Sequence, residues 1–190
     1  LEVEVNREGM QHTMAFERGA MTQELQTQPG SSKTGTSVKF RPDPAVFQEA
    51  EFKYEILQTR LRELAYLNSR LRIRLVDETT GRECEYYYEE GLVDFCIHLA
   101  GGAECLHKDP ILIRGEDESI GISCQIVLLF TDSYTENILC FANNIHNVHG
   151  GTHMSGLKTS VSRVASNYAK KNNLIKGNTA VTGDDWREGL

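Results

Sequence analysis

The stretch TGTSVKFRPDPAVFQEAEFKYEILQTRLRELAYLN, residues 34–68, decides how this chain is organised. Its first part places Thr36 and Val38 on the same face of an alternating pattern, which predicts a strand. Pro42-Asp43-Pro44 follows and ends that strand, because proline supplies no N–H group for a sheet ladder. We therefore expect a domain boundary near residue 47.

The second part of the stretch predicts an amphipathic helix over residues 51–68. Apolar side chains recur there every three or four positions, as one buried helix face requires. The expected buried stripe consists of Phe52, Ile56, Leu57, Leu61, Leu64 and Leu67.

Upstream of the boundary, the pattern is that of a small antiparallel sheet. Residues 1–8 alternate apolar and polar side chains, and residues 11–18 do so again after the turn at Glu8-Gly9, which predicts a hairpin. Residues 26–33 are polar and contain Pro29-Gly30, so we expect a loop there.

Downstream of the boundary, strands and helices interleave. The expected strands are residues 71–75 paired with 83–88, 110–115 paired with 119–130, and 136–143 pairing back. The expected helices are residues 91–100 and 154–171, the latter with a stripe of Met154, Leu157, Val161, Val164 and Tyr168. These elements predict a compact α+β domain, an α/β sandwich, over residues 48–190.

Composition excludes several classes of protein. With 190 residues, 39% hydrophobic and a net charge of −7, the chain is neither a disordered nor a collagen-like sequence. Its longest apolar run, residues 120–130, is interrupted by Ser123 and Gln125, so no membrane span is expected. Residues 1–5 alternate like a strand, so no signal peptide is expected either. The odd count of five cysteines favours a reduced, cytoplasmic protein. A Leu at position 1 suggests a piece of a longer chain.

The sequence contains no self-contained active site. Cys96-x-His98 and Cys105-x-His107 lack the spacing of structural zinc sites, so no metal is expected. His146 and His149 lie near two glycines and are interpreted as loop histidines. Neither a G-x-S-x-G elbow nor a phosphate-binding G-x4-G-K motif occurs.

Three local motifs have a structural and a functional interpretation. Gly150-Gly151-Thr152-His153 joins a strand to a helix, with Thr152 as the expected N-cap. Asp184 or Asp185 is expected to cap a short helix, with Arg187 paired to a nearby carboxylate. The helix 154–171 carries Lys158, Arg163, Lys170 and Lys171, which form either a solvated face or a basic strip for DNA.

Five ordered blocks together resemble one known family. They are Thr34-Gly35-Thr36-Ser37-Val38-Lys39-Phe40-Arg41-Pro42-Asp43, Leu61-Arg62-Glu63-Leu64-Ala65-Tyr66-Leu67-Asn68, Cys140-Phe141-Ala142-Asn143-Asn144-Ile145, Gly150-Gly151-Thr152-His153 and Gly183-Asp184-Asp185-Trp186-Arg187-Glu188-Gly189-Leu190. Their order and separations are similar to those in the ATPase half of the DNA gyrase B family, the B subunits of bacterial type IIA topoisomerases.

The resemblance implies a fold and two partial domains. Residues 1–47 match the last strands of a GHKL-type ATP-binding domain, and residues 48–190 match a transducer domain truncated before its Q-T-K lysine loop. The transducer of that family resembles the second domain of a small-subunit ribosomal protein and contains a left-handed β-α-β crossover. Thr36 matches the threonine that hydrogen-bonds in the adenine site, and Val38 follows it on the same face.

The resemblance also implies what the intact protein does. ATP with Mg²⁺ would close a dimer of B subunits around DNA, and the transducer would couple hydrolysis to strand passage. Lys158 matches a basic position of the DNA-holding cavity, and Arg163 is expected to contact phosphates as well. The partners would be DNA and the gyrase A protein, in a heterotetramer of two A and two B subunits.

The chain by itself is expected to contain no catalytic residues, to bind no cofactor and to have no ATPase activity. Two alternatives remain open: the B protein of topoisomerase IV, and a non-catalytic interaction module that retains the transducer fold.

Overall fold

The structure is a computed structural model that describes residues 1–48, 50–175 and 180–190. The chain divides into two compact units, Leu1–Lys53 and Tyr54–Leu190. The division falls after residue 47 because the segment beyond the last strand of the first unit folds back on it. Asp43 accepts a hydrogen bond from Arg18, and the ring of Phe52 packs edge-on against Phe40 at 5.8 Å between centroids.

The first unit is a four-stranded antiparallel sheet. Its strands are β1 (Glu2–Arg7), β2 (Met10–Glu17), β3 (Ala20–Pro29) and β4 (Gly35–Lys39), in the spatial order β3-β2-β1-β4. The loop expected over residues 26–33 is wrong in its first half, because β3 continues to Pro29. Backbone pairing with β2 holds these polar residues, and side-chain bonds such as His12 to Thr27 (3.0 Å) reinforce it.

The second unit begins with a helix whose packed face agrees with the expected stripe at Leu57, Leu61, Leu64 and Leu67, which are half-buried, but not at its start. Helix α1 spans Tyr54–Leu67, and its buried residues are Tyr54, Ala65 and Tyr66. Phe52 and Ile56, predicted to be buried, are 59% and 64% exposed. Tyr66 turns inward onto a set of aromatic rings, and the Arg82 guanidinium lies over the ring of Tyr54 at 4.0 Å.

Those rings form a continuous stack through the unit. Tyr66 lies between Tyr88 (3.7 Å between centroids) and Phe95 (4.8 Å), and Phe95 continues to Phe141 at 6.1 Å. The ring of His146 closes the stack on Phe141 at 5.0 Å, so this histidine has a packing role. Stacked aromatic pairs contribute beyond their buried area, which explains why they determine the orientation of α1.

The remaining elements in the described part of this unit are three hairpins, two helices and a 3-10 turn. They are β5 (Ile73–Asp77), β6 (Arg82–Tyr86), α2 (Leu92–Ala100), β7 (Ile111–Asp117), β8 (Ile122–Leu128), β9 (Phe141–Ala142), β10 (Ile145–His146), α3 (Thr152–Lys171) and a 3-10 turn at Asp185–Arg187. β5 pairs with β6, β7 with β8 and β9 with β10, all antiparallel. This mixture confirms the predicted α+β class.

One predicted strand is wrong. Residues 136–143 do not pair back on β8; only Phe141–Ala142 is a strand, and its partner is β10. Asn143 and Asn144 both have positive φ (48° and 66°), which forms a tight hairpin turn at that point. The backbone N–H of Asn137 instead donates to the carbonyl of Leu190 at 2.7 Å.

Helix α3 has the expected position but not the full expected stripe. Val164 and Tyr168 are 63% and 64% exposed, whereas Ala169 is buried. The packed face keeps Leu157 and Val161 of the expected stripe and continues through Ser162, since the chain segment around the 3-10 turn packs there.

Every strand pair recorded for residues 1–48, 50–175 and 180–190 is antiparallel. The left-handed β-α-β crossover, which joins parallel strands, therefore remains an expectation.

Candidate functional site

Arg187 is the centre of a polar network in the second unit. Its side chain is 8% exposed, although it carries a charge. Its Nη1 donates to Ser162 Oγ at 2.8 Å and to the carbonyl of Gly183 at 2.7 Å, and its Nη2 donates to Asp184. A buried guanidinium needs several acceptors of this kind, because each unpaired N–H group would cost free energy. The predicted pairing of Arg187 with a carboxylate is confirmed.

Glu136 is the second carboxylate of the network, after Asp184. Its Oε1 accepts a hydrogen bond from Arg187 Nε at 3.1 Å and also contacts Lys158 Nζ at 2.9 Å. Burial raises the pKa of Glu136, but the hydrogen bonds and charges of Lys158 and Arg187 lower it more strongly, so the net pKa lies below its usual value. Glu136 is therefore an ionised carboxylate that bridges helix α3 and the 3-10 turn.

The backbone around Thr131 holds this network in place. The Thr131 N–H group and hydroxyl both donate to the carbonyl of Gly189, at 2.8 Å and 3.1 Å. Gly189 has φ +78°, and a Cβ atom there would lie 2.4 Å from the Thr131 carbonyl oxygen. Only glycine combines that conformation with so close an approach. The last residues of the chain are thereby fixed against the segment that carries Glu136.

Lys158 and Arg163, the two cations expected to contact DNA, lie on different sides of α3. Five residues separate them, which corresponds to about 140° around a helix axis. Lys158 is half-buried on the packed face and paired with Glu136, whereas Arg163 is exposed. The structure thus places Lys158 in the network of Arg187 and leaves Arg163 away from it.

Of the two glycines before α3, Gly150 is required by its backbone conformation, and the atoms nearest to both glycines belong to movable side chains. Gly150 has φ +74°, and a Cβ atom there would lie 2.9 Å from Met154 Sδ. A Cβ atom on Gly151 would lie 2.9 Å from the ring of His153, which covers this residue. Thr152 was expected to be the N-cap, but it is the first helical residue; Gly151 is the N-cap and no side chain caps the helix. With a φ of 164°, Gly151 has an extended backbone conformation.

The side-chain cap expected from Asp184 or Asp185 is wrong, because neither carboxylate caps the 3-10 turn. Asp184 is the N-cap residue of the 3-10 turn, but without a side-chain cap bond, because its carboxylate pairs with Arg187. Asp185 accepts bonds from the backbone N–H (2.7 Å) and hydroxyl (2.8 Å) of Thr182. The backbone bond and the hydroxyl bond from Thr182 together hold the pKa of Asp185 below its usual value.

Thr36 and Val38 lie on β4, at the edge of the sheet in the first unit. Thr36 pairs with Val5 and Val38 pairs with Val3 across β1. Both side chains are exposed, and as residues two apart on a strand they share one face. A threonine hydroxyl in that position can donate and accept, which fits contact with the polar edge of a base.

Two of the ordered sequence blocks meet in space. Arg60 Nη2 donates to the backbone carbonyl of Asn144 at 2.9 Å, and Asn144 Nδ2 donates to Asn68 Oδ1 at 3.1 Å. Asn68 also caps α1 by donating to the Leu64 carbonyl at 2.7 Å. Hydrogen bonds therefore connect the end of α1 to the β9–β10 turn, a contact that the separate motifs did not predict.

Glu136, Ser162 and Thr131 were missed by sequence reasoning. Glu136 lies 51 residues from Arg187 and was assigned to a strand, and Ser162 was counted as an ordinary helix residue. The only sequence signal was Arg187 itself, since an arginine in a short capped turn needs a carboxylate partner. Nothing local to residues 131–137 identifies that partner.

Two general properties follow from the ranges that the structure describes. Within them, no cluster of three or more His, Cys, Asp or Glu side chains could hold a metal ion. None of the helices found in those ranges combines the length and the apolarity needed to cross a membrane. All five cysteines are free thiols.

Known proteins resemble this chain over its whole length. The family model for DNA gyrase B matches residues 91–190. The DNA gyrase B protein of Halalkalibacterium halodurans is 44% identical over all of this chain, and that of Clostridium acetobutylicum is 41% identical. The chain spans 30% of the length of each of these relatives.

Solved structures resemble it in fold as well. The 43K ATPase domain of Thermus thermophilus gyrase B, solved in complex with an aminocoumarin, matches with a TM-score of 0.84 and 38% identity. That match covers 99% of this chain and 52% of the solved one.

Proposed function

This chain belongs to the DNA gyrase B family, and we propose that it transmits ATP-driven motion to DNA within a type IIA topoisomerase. Residues 1–47 would be the last strands of the GHKL ATP-binding domain, and residues 48–190 the transducer up to the point before its lysine loop. The observation that carries this proposal is the likeness to gyrase B proteins along every part of the chain.

The first unit contributes to nucleotide binding through the edge strand β4. Thr36 would meet the polar edge of adenine, and Val38 would pack beside it on the same face. ATP with Mg²⁺, when bound to the intact protein, supplies the phosphoryl chemistry. The residues of this chain would only help to bind and orient the base.

The second unit contributes the connection to DNA. The network of Arg187, Glu136 and Lys158 fixes the segment of residues 183–190 to α3, so motion of that segment would move the helix as well. Lys158 and Arg163 would contact backbone phosphates without reading sequence. The intact protein would work in the cytoplasm as a dimer of B subunits joined to two A subunits.

The test is a DNA topology assay in which the intact B protein is combined with its A-type partner. We expect closed circular DNA to change linking number only when ATP is supplied. The 190-residue chain alone should not hydrolyse ATP, which separates the transmitting part from the catalytic part. An intact complex that leaves DNA topology unchanged with ATP would favour the non-catalytic interaction module instead.

The DNA contacts are tested by Lys158→Gln and Arg163→Gln in the intact B protein. Each should weaken the binding of duplex DNA and reduce the salt slope of the binding constant by up to about 0.9, the value for one full phosphate contact. Equal slopes in the wild type and both variants would contradict a phosphate contact at either residue.

A further inference from the structure

Glu136 is shared by two cations that reach the same oxygen atom. Lys158 Nζ lies 2.9 Å and Arg187 Nε lies 3.1 Å from Oε1 of Glu136. Together with Asp184, these residues form a group of two positive and two negative charges. The ammonium of Lys158 is therefore already neutralised inside the protein before any DNA arrives.

The two cations are held in very different ways. Arg187 has further bonds to Ser162, Gly183 and Asp184, and its side chain is 8% exposed. For Lys158 Nζ, Glu136 is the single partner recorded within the described ranges, and the lysine side chain is 35% exposed. A lysine ammonium on a flexible four-carbon stem can change partners, whereas a guanidinium held on three sides cannot.

We propose that Glu136 is a positioning residue that holds the Lys158 ammonium until a DNA phosphate takes the place of the carboxylate, while Arg187 keeps the carboxylate hydrogen-bonded after the exchange. This inference rests on the proposed role of Lys158 as a phosphate contact. The ligand is the phosphate backbone of duplex DNA, which carries no sequence information.

The arrangement makes the exchange physically inexpensive. Removing one partner of a partly buried ion pair normally leaves an uncompensated charge, which is strongly unfavourable. Here Arg187 already donates to the same oxygen of Glu136, so the carboxylate never becomes unpaired. The consequence is that Lys158 binds DNA more weakly, and with less dependence on salt, than an unpaired lysine would.

Glu136→Gln in the intact B protein tests this inference, because glutamine keeps the shape and removes the charge. We expect duplex DNA to bind about two- to fivefold more tightly, the factor that corresponds to losing a modest competing ion pair. The salt slope should also become steeper, because the contribution of Lys158 then rises towards the full value of about 0.9 for one phosphate contact. A purely structural role for Glu136 would not make the slope steeper.

Asp184→Asn is the matched control. It removes a carboxylate from the same network and changes the net charge equally, but Asp184 contacts Arg187 and not Lys158. Its side chain is 89% exposed, so the substitution is well tolerated sterically. We expect DNA affinity and salt slope to remain near the wild-type values. Equal tightening by Asp184→Asn would show a general charge effect and would overturn the proposal.

A double-mutant cycle separates this inference from the proposed function. In the Lys158→Gln background, Glu136→Gln should no longer tighten DNA binding, because the two residues act as one unit. If tightening persists there, Glu136 does not act through Lys158 and the inference is wrong. If Lys158→Gln has no effect in either background, the proposed DNA contact itself fails. If Lys158→Gln weakens binding but Glu136→Gln does not tighten it, only the positioning role fails.

Glu136→Asp provides a second variant should Glu136→Gln fold poorly. The shorter side chain keeps a charged partner for Arg187 but withdraws the carboxylate from Lys158. We expect tightening in the same direction as with glutamine, but smaller. Unchanged or weaker DNA binding by a folded Glu136→Asp protein would count against the proposal.

Discussion

Two sets of ion pairs in the second unit contain the same kinds of side chain in different surroundings. On hairpin β5–β6, Arg72 pairs with Glu85 and Arg74 pairs with Glu83, with all four side chains between 45% and 62% exposed. In the network around Arg187, the arginine is 8% and Glu136 is 24% exposed. The hairpin pairs lie on strands that a continuous ladder of backbone bonds already joins, whereas the network joins segments that share only a few backbone bonds, such as those from Thr131 to Gly189 and from Asn137 to Leu190.

The difference shows that the number of ion pairs says little about their importance. Exposed pairs are weakened by water and salt and contribute little to stability. A partly buried network is favourable only when every group is satisfied, and it is damaged strongly when one member is lost. We therefore expect the two sets to respond very differently to the same kinds of substitution.

The largest expected effect is that of Arg187→Met. Methionine fills a similar volume but leaves Ser162, Gly183 and Glu136 without their shared donor. The local opening free energy of residues 131–137 and 183–190 should fall by about 2–4 kcal/mol. Hydrogen exchange measured by mass spectrometry on the intact protein gives this value from those two peptides. Unchanged protection of both peptides would mean that Arg187 is not the connection between them.

An intermediate effect is expected from lowering the pH. The pKa of Glu136 is lowered in the folded protein from its ordinary value of 4.5, so its ionisation stabilises the network above that value. The stabilisation should be lost as the pH falls below 4.5 and through the lower folded pKa. Trp186 is next to Arg187 in the chain and is the single tryptophan of these 190 residues. Labelled as fluorotryptophan, it can report this change by NMR.

Glu136→Gln is the control for the pH experiment. The glutamine variant cannot titrate at this position, so the Trp186 signal should shift less between pH 4.5 and the lower end of the titration. A wild-type profile that the variant reproduces in full would assign the transition to another carboxylate, of which Asp185 is the nearest in sequence with a lowered pKa.

The smallest effect is expected from Arg74→Gln and Glu83→Gln on hairpin β5–β6. Their interaction is exposed and lies on strands that are paired through five residue positions. The melting temperature should change by no more than the error of a calorimetric scan, and any difference should vanish at high salt. A clear loss of stability that persists in high salt would remove the contrast between the two sets.

Much of the fold was predictable because its signals are local. The hairpin of β1 and β2, the pair β5–β6, and helices α2 and α3 follow from alternation, helical spacing and turn residues. The errors occurred where local patterns are weak. Polar residues at the end of β3 are held by backbone pairing with β2. Within residues 136–143, Asn137 bonds to the backbone of Leu190 rather than to a neighbouring strand.

The candidate site was predictable only in part. Arg187 with a carboxylate partner and the glycines before α3 were expected, but Glu136 was not identified as that partner. Thr152 was assigned the cap that Gly151 holds. The stripe of α3 was wrong at Val164 and Tyr168, since helical spacing gives a period but cannot tell which of two adjacent faces meets a neighbour.

The sequence by itself determined the family, the α+β class and most helix and strand positions, because these depend on residue order and on interactions within a few positions. Only the tertiary structure brought Lys158 and Arg187 to the same oxygen atom of Glu136, which lies 51 residues from Arg187 in the chain. The same holds for the hydrogen bond between Asn144 and Asn68. Such contacts depend on how elements pack, and packing is decided by the shapes of side chains that lie far apart in sequence.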